Sequence, residues 1–100
     1  MRVIARPALR NFAERFPDTE TALNAWWKQM RGNDYASPHD LRTAFPGVDF
    51  LGDGLTVFDI RGNNCRVIAS VNYRAGIVFI KHVFTHAEYD GWSDNRRKGR

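Results

Sequence analysis

The fold is decided by residues 56–85, TVFDIRGNNCRVIASVNYRAGIVFIKHVFT, in which apolar and polar side chains alternate with a period of two. Gly62-Asn63 and residues 74–76 interrupt this alternation, and both interruptions contain residues that tolerate a positive φ. The pattern therefore predicts an antiparallel meander of three strands joined by tight turns, over residues 56–61, 64–73 and 77–85.

Helical periodicity replaces this alternation nearer the N-terminus. Pro7 suits the first turn of a helix, where its missing N–H has no partner to lose. Leu9 and Phe12 then recur at helical spacing, which predicts a helix that Pro17 ends. Residues 1–5 form a short apolar stretch before it, and we expect them to be a strand at one edge of the sheet.

Two more helices are predicted before the meander. Asp18 or Thr19 can cap the second helix by accepting a bond from a free backbone N–H, and residues 32–33, Gly-Asn, can end it. Ser37 can cap a third, shorter helix that ends before Pro46. The order is then β-α-α-(α)-β-β-β, an α+β fold with its helices on one face of a small antiparallel sheet. We expect residues 1–100 to be a single domain with a basic tail from about residue 95.

Charge and composition indicate which class of binding partner and which cellular compartment to expect. The net charge of +4 and the pI of about 9.7 favour an anionic partner, with nucleic acid first. Cys65 is the only cysteine, so it cannot build a disulfide or a thiolate metal cage alone, and we expect it to be buried in a strand. No apolar run reaches the roughly 20 residues of a membrane span, and the N-terminus lacks a signal-peptide core. We expect a cytoplasmic protein.

The alternation in the middle strand of the meander separates two faces of the sheet. The core face is the one that carries Cys65, Val67, Ala69, Val71 and Tyr73, and Arg66 lies on the other face. A three-residue turn pairs Tyr73 with Ile77 and leaves Phe79 and Val83 on the core face. The residues it places beside Arg66 are Val78, Ile80, His82, Phe84 and His86. A two-residue turn puts Lys81 and Thr85 there instead. We prefer the three-residue turn, because it keeps Lys81 rather than His82 near the edge of the buried face.

Arg66 is the first candidate for chemistry. Its guanidinium can hold a phosphate with two parallel hydrogen bonds and stays charged throughout a reaction. With Gly62-Asn63 as the turn it also lies opposite Asp59, so a cross-strand ion pair is an equal alternative.

Two histidines and a tyrosine lie on the last strand and just after it. His82 and His86 can exchange protons near neutral pH, although a structural hydrogen bond is the commoner role of a strand-end histidine. On a strand they lie about 13 Å apart, too far to share a metal ion, so neither a metal nor a cofactor is predicted. Tyr89, in a loop after the strand, can donate a proton, orient a nucleophile, stack on a base or close the core.

A basic cluster ends the chain. Its members are Arg96, Arg97, Lys98 and Arg100. They can contact phosphates, and a solvated tail is the alternative interpretation.

Two segments resemble the HigB-type toxins of the RelE/ParE toxin–antitoxin superfamily. They are residues 57–68, VFDIRGNNCRVI, and residues 80–90, IKHVFTHAEYD. The Gly-Asn-x-x-Arg turn and the Thr-His-x-x-Tyr-Asp ending are fairly specific together. The resemblance covers nearly the whole chain and implies a RelE-like fold.

This resemblance implies a function. Toxins of this kind are metal-independent mRNA endoribonucleases, many of which act on translated messages at the ribosome. The RNA 2′-hydroxyl attacks its own neighbouring phosphate. A helix-turn-helix antitoxin of the HigA type silences the toxin, and the toxin reaches operator DNA only through that antitoxin.

The resemblance also implies roles for single residues. Arg66 matches the family's strand arginine and would stabilise the charge on the phosphorane. His86 matches the histidine of the ending and would be the general acid or base. Tyr89 would orient the nucleophile, share proton transfer or stack on a base.

Three further residues carry weaker assignments. Lys81 stands at a position that is often basic in relatives, where it would contact phosphate. Arg61 would position RNA at the turn. His82 matches no motif of the family, and its candidate catalytic role comes from strand parity alone.

Two other functions stay open on the same fold. A ParE-like toxin binds DNA gyrase and cleaves no RNA, and a degenerate member binds RNA without cleaving it. The acid–base set of His82, His86 and Tyr89 favours the nuclease.

Overall fold

The computed structural model describes residues 1–60 and 65–98 as helices grouped around one sheet. The strands are β1 (Arg2–Ile4), β2 (Asp49–Phe50), β3 (Leu55–Ile60), β4 (Cys65–Asn72) and β5 (Ile77–Thr85). The α-helices are α1 (Arg6–Arg15), α2 (Glu20–Arg31), α3 (Pro38–Ala44) and α4 (His86–Lys98), and a short 3₁₀ turn joins α1 to α2 at Pro17–Thr19. The predicted α+β class is confirmed, and the element order up to β5 matches the prediction except for the additional short strand β2.

The sheet has the order β1-β5-β4-β3-β2. The meander β3-β4-β5 is antiparallel, as predicted, and β1 joins an edge of the sheet. The prediction of a wholly antiparallel sheet is wrong, because β1 runs parallel to β5 and a short strand, β2, is added beside β3. The ammonium of Met1 bonds to the carbonyls of Met30 and Asn33 at the end of α2, which fixes where β1 begins.

The two hairpins of the meander differ in how well their register was predicted. Asp59 lies opposite Arg66, as expected, although the predicted Gly62-Asn63 turn is outside the described residues. In the second hairpin Asn72, not Tyr73, pairs with Ile77, so the turn has one more residue than predicted. Gly76 has the expected left-handed conformation, with φ of 69°.

A β-bulge in β5 restores the predicted faces in the second half of that strand. Val78 and Ile80 pack on the core, whereas Phe79 faces outward and is 37% exposed, the reverse of the prediction. The register then shifts opposite Ile68 and Ala69, and Lys81 is the residue left without a partner. Beyond the bulge His82 and Phe84 are on the face of Arg66, as predicted.

The core lies between the sheet and helices α1, α2 and α3. Its largest buried side chains include Leu23, Met30, Leu41 and Phe58. Trp26 packs edge-on against Phe58, with 5.1 Å between ring centroids. Cys65 is buried, as expected, and this burial raises the pKa of its thiol to about 12. None of the helices in the described part of the chain is long and apolar enough to cross a membrane.

The predicted helix cap is present in α3 but not in α2. Ser37 caps α3 as predicted, since its Oγ accepts the N–H of Asp40 at 3.2 Å. Thr19 precedes α2 without a side-chain cap, and its hydroxyl instead donates to the carbonyl of Phe16. The missed helix is α4, which replaces both the predicted loop around Tyr89 and the predicted tail up to residue 98.

A capping box starts α4. The hydroxyl of Thr85 accepts the N–H of Glu88 at 3.1 Å, and the Glu88 carboxylate accepts the N–H of Thr85 at 2.9 Å. Arg15 of α1 pairs with the same carboxylate at 3.1 Å. The Thr85 N–H first, and then Arg15, hold the pKa of Glu88 below its ordinary value. These contacts fix the first turn of α4, which carries the candidate site residues.

Helix α4 also corrects the predicted arrangement of layers. It contacts β4 and β5, and its Trp92 packs near His82 and Phe84 on the face of Arg66 rather than on the core face, so the helices do not all lie on one face. Ile68 and Val57 point to this outward face and are nevertheless buried. The outward face is therefore partly covered, and a functional site can form where α4 begins.

Candidate active site

Three of the predicted residues lie close together at the junction where β5 ends and α4 begins. Arg66 lies near the start of β4 and points to the outward face, while His86 and Tyr89 are on the first turn of α4. Nη2 of Arg66 is 2.9 Å from Nδ1 of His86. The guanidinium carbon of Arg66 is 5.8 Å from the centroid of the Tyr89 ring. Sequence-distant residues thus form one cluster of a fixed cation, an imidazole and a phenol.

Asp59 holds the other end of the guanidinium. Nη1 of Arg66 donates to Oδ1 of Asp59 at 2.8 Å, which is the cross-strand ion pair that the register allows. The Arg66 side chain is 16% exposed, and Asp59 is about half-exposed. The two alternatives for Arg66 are therefore compatible: the carboxylate orients a guanidinium whose other edge faces His86.

The contacts of His86 indicate which ring nitrogen carries the proton. A guanidinium can only donate, so Nδ1 is the acceptor of the Arg66 contact. Nε2 is 3.4 Å from Oδ2 of Asp90, one helical turn further along α4. In the neutral ring the proton is therefore on Nε2, facing Asp90. The His86 side chain is 54% exposed, so a substrate can reach it.

A pocket of about 390 Å³ opens beside Arg66 and Tyr89. Its lining includes Arg66, Tyr89 and Asp59, together with Arg42 of α3 and Asp49 of β2. Sequence reasoning assigned no role to Arg42, Asp49 or Asp90. The i, i+4 spacing of His86 and Asp90 becomes a signal only once residues 86–98 are known to be helical.

A comparison with known families decides the class of this chain. The family model of the HigB toxin, described as the RelE-like toxic component of a toxin–antitoxin system, matches residues 19–92. The chain belongs to the HigB toxin family. The resemblance carried by residues 57–68 and 80–90 is therefore confirmed, and the toxin has an antitoxin as its partner.

Curated relatives of this HigB-family chain extend over most of its length. The chain is 35% identical over 92 residues to "mRNA interferase HigB" of Escherichia coli O6:H1 (strain CFT073), which covers 90% of this chain and 89% of the relative. It is 33% identical over 103 residues to "mRNA interferase toxin HigB" of Escherichia coli (strain K12), covering 100% and 99%.

His82 lies in an aromatic cluster of this HigB-family toxin. Its ring stacks on Phe84 with 4.9 Å between centroids and approaches Trp92 at 5.4 Å. Across residues 1–60 and 65–98, no hydrogen bond or ion pair joins His82 to Arg66, His86 or Tyr89. The structure therefore does not bring His82 into the cluster formed by those three residues.

The environment of His82 predicts a stability that depends on pH. His82 is exposed at the surface, but partial burial of its ring, and then the charge of Lys81, lowers its pKa in the folded protein. As pH falls below the ordinary value of about 6.5, the unfolded chain takes up a proton that the folded protein does not, so stability is lost. We expect acidification from about pH 7.5 to about pH 5.5 to lower the melting temperature of the wild type more than that of His82→Phe. Equal shifts in the two proteins contradict this account.

The basic candidates are dispersed rather than gathered in a tail. Lys81 is exposed at the bulge, with its Nζ 5.7 Å from the Phe79 ring. Arg96 packs over Trp92 at 4.7 Å and forms an ion pair with Asp53. Arg97 pairs with Asp94, while Lys98 is exposed on the last turn of α4. Arg61 and Arg100 lie outside the described residues.

Within residues 1–60 and 65–98 the side chains of His, Cys, Asp and Glu form no group of three or more that could hold a metal ion.

Proposed function

We propose that this HigB-family toxin is a metal-independent mRNA endoribonuclease that acts in the cytoplasm on messages under translation at the ribosome. The observation that carries the proposal is the 2.9 Å contact between Arg66 and His86 beside a pocket lined by Tyr89. Two relatives that share about a third of their residues with the chain are named as mRNA interferases. The 100 residues act as one domain in this proposal.

The reaction is an internal transfer of the phosphodiester. The 2′-oxygen bonds to the adjacent phosphorus, and the bond from phosphorus to the 5′-oxygen of the next nucleotide breaks. One product ends in a 2′,3′-cyclic phosphate and the other begins with a 5′-hydroxyl. The 2′-hydroxyl loses a proton and the departing 5′-oxygen gains one, so the site must supply a base and an acid.

Arg66 stabilises the phosphate in this mechanism. Negative charge builds on the non-bridging oxygens as the phosphorane forms, and a guanidinium held by Asp59 needs little reorganisation to meet it. A phosphate oxygen takes the place of Nδ1 of His86 as the acceptor of Nη2. Substrate binding thereby releases the imidazole for proton transfer.

His86 and Tyr89 complete the mechanism. The exposed imidazole, once released from Arg66, can accept the proton of the 2′-hydroxyl or, as imidazolium, protonate the 5′-oxygen. Tyr89 lines the pocket, where its phenol shares proton transfer as the second acid–base group and can also orient the ribose or stack on a base. Lys81 and Lys98 are exposed cations that can add backbone contacts and make RNA binding salt-dependent.

We also propose that the antitoxin is a helix-turn-helix protein of the HigA type. In this proposal the toxin reaches operator DNA only through that partner. The proposal rests on membership of the HigB family, whose description names a toxin–antitoxin system.

The experiment that tests the proposed function maps RNA ends after brief induction without antitoxin. We expect new 5′-hydroxyl ends within translated messages, accompanied by growth arrest. The matched control is co-expression of the antitoxin, which should remove the ends. Intact messages together with DNA damage would instead identify a gyrase poison and refute the nuclease.

A further inference from the structure

We propose that the pocket beside Arg66 is a nucleotide subsite adjoining the scissile phosphate, in which Arg42 binds a backbone phosphate and Asp49 accepts a hydrogen bond from the base. The ligand is a ribonucleotide whose base carries an exocyclic amino group. This inference rests on the proposed ribonuclease function and assigns two residues that the catalytic mechanism does not use.

The sheet places Asp49 on the same face as Arg66. Asp49 of β2 pairs with Val57 of β3, and Asp59 lies two residues further along β3, opposite Arg66. Paired residues in a ladder, and residues two apart on a strand, point to the same face. Arg42 reaches the same pocket from α3. The volume of about 390 Å³ falls within the range of roughly 300–1,000 Å³ that is typical of small-ligand sites.

The N–H donors of Arg42 are available to bind an anion. Its guanidinium carbon is 5.1 Å from the centroid of the Phe50 ring, a cation–π contact that uses none of the N–H donors. Among the side chains of residues 1–60 and 65–98 it has neither an ion pair nor a hydrogen bond, whereas Arg66 has both Asp59 and His86. A phosphate can therefore bind Arg42 without displacing a partner among these side chains.

Asp49 sets the orientation of the nucleotide in the pocket. Asp49 is exposed and, within the described residues, forms no ion pair, unlike Asp59. A free carboxylate repels a phosphate but accepts hydrogen bonds from the amino group of a base such as cytosine. The phosphate then lies toward Arg42 and the base toward Asp49. Cytosine, with an amino group at C4, is favoured over uracil, with a carbonyl there.

The first test separates binding from catalysis with Arg42→Ala. We measure single-turnover cleavage of a short message in a reconstituted translation mixture over a range of toxin concentrations. The half-saturating concentration should rise about tenfold, as expected for the loss of a charge-assisted hydrogen bond, with the maximal rate within about twofold of wild type. Arg42→Lys keeps the positive charge but loses the planar N–H donors of the guanidinium, so the half-saturating concentration should rise less.

The matched control is Arg74→Ala. Arg74 is an exposed arginine in the turn between β4 and β5, at the end of the sheet away from Arg66. Its removal lowers the net charge equally and should leave the half-saturating concentration unchanged. An Arg42→Ala protein that saturates like wild type, or one that loses only the maximal rate, overturns the subsite.

The second test uses Asp49→Asn and the base composition at the cut sites. An amide offers a donor as well as an acceptor, so the preference for cytosine over uracil at one position next to the cut should weaken. An unchanged preference overturns the role of Asp49. If the wild type cleaves RNA and these variants behave like it, the subsite fails while the proposed function stands. If the wild type cleaves no RNA, the proposed function itself fails.

Discussion

Arg66→Ala should reduce mRNA cleavage by at least about 10²-fold, because it removes the cation that meets the charge of the phosphorane. Growth arrest after induction should disappear with it. The folding cost should be small, about 1 kcal/mol or less, since the lost ion pair is partly exposed and its partner Asp59 is about half-exposed. The measurement is single-turnover cleavage of a translated message, with the free energy of unfolding measured in parallel.

Arg66→Lys tests whether the geometry of the guanidinium matters as well as its charge. Lysine keeps the charge but cannot bond to Asp59 and to a phosphate through two separate nitrogens of one planar group. We therefore expect most of the activity to be lost in Arg66→Lys as well. Both proteins should still be co-purified with the antitoxin. Full toxicity of Arg66→Ala at wild-type expression would remove this residue from the mechanism.

His86→Ala should lower the rate of cleavage by about 10²- to 10⁴-fold, the range typical for loss of a general acid–base group. The imidazole is exposed and its ring contacts Arg66 and Asp90, so its loss leaves the apolar core unchanged. The measurement is the same cleavage assay, performed at saturating toxin so that binding differences do not enter.

His39→Ala is the matched control for that histidine. His39 is exposed on α3 and does not line the pocket beside Arg66. We expect His39→Ala to cleave at the rate of the wild type. If His86→Ala also does so, proton transfer must be assigned to another group.

The sequence predicted the meander well because its signals are local. Alternation along β3, β4 and β5, together with residues that tolerate a positive φ, gave their order and the pairing of Asp59 with Arg66. The second hairpin was misjudged because its turn is one residue longer than expected. The bulge at Lys81 depends on packing between strands, and no local residue preference signals it.

Helix α4 was missed for a different physical reason. It has no fully buried residue, so its sequence shows little of the apolar periodicity that indicates a helix. The available signal was the Thr85-x-x-Glu88 capping box, whose two reciprocal hydrogen bonds are present in the structure. Recognising it would have placed His86, Tyr89 and Asp90 on one helical turn.

The candidate site was only partly accessible from sequence. Arg66, His86 and Tyr89 could be named because they stand in two segments that resemble the HigB family. Arg42 and Asp49 belong to no such segment: Asp49 reaches the pocket because β2 adds to the edge of the sheet beside β3, and Arg42 reaches it from α3. His82 shared the face of Arg66, as strand parity predicted, but packing against Phe84 and Trp92 determines its surroundings.

The most direct measurement of the central claim uses a message with a single 2′-deoxynucleotide at a mapped cleavage position. If Arg66 and His86 act on a phosphate that the neighbouring 2′-hydroxyl attacks, the wild-type toxin should not cut at that position and should still cut an all-ribose message to a 2′,3′-cyclic phosphate. Cleavage at the deoxy position, or products that carry a 5′-phosphate, would contradict the mechanism.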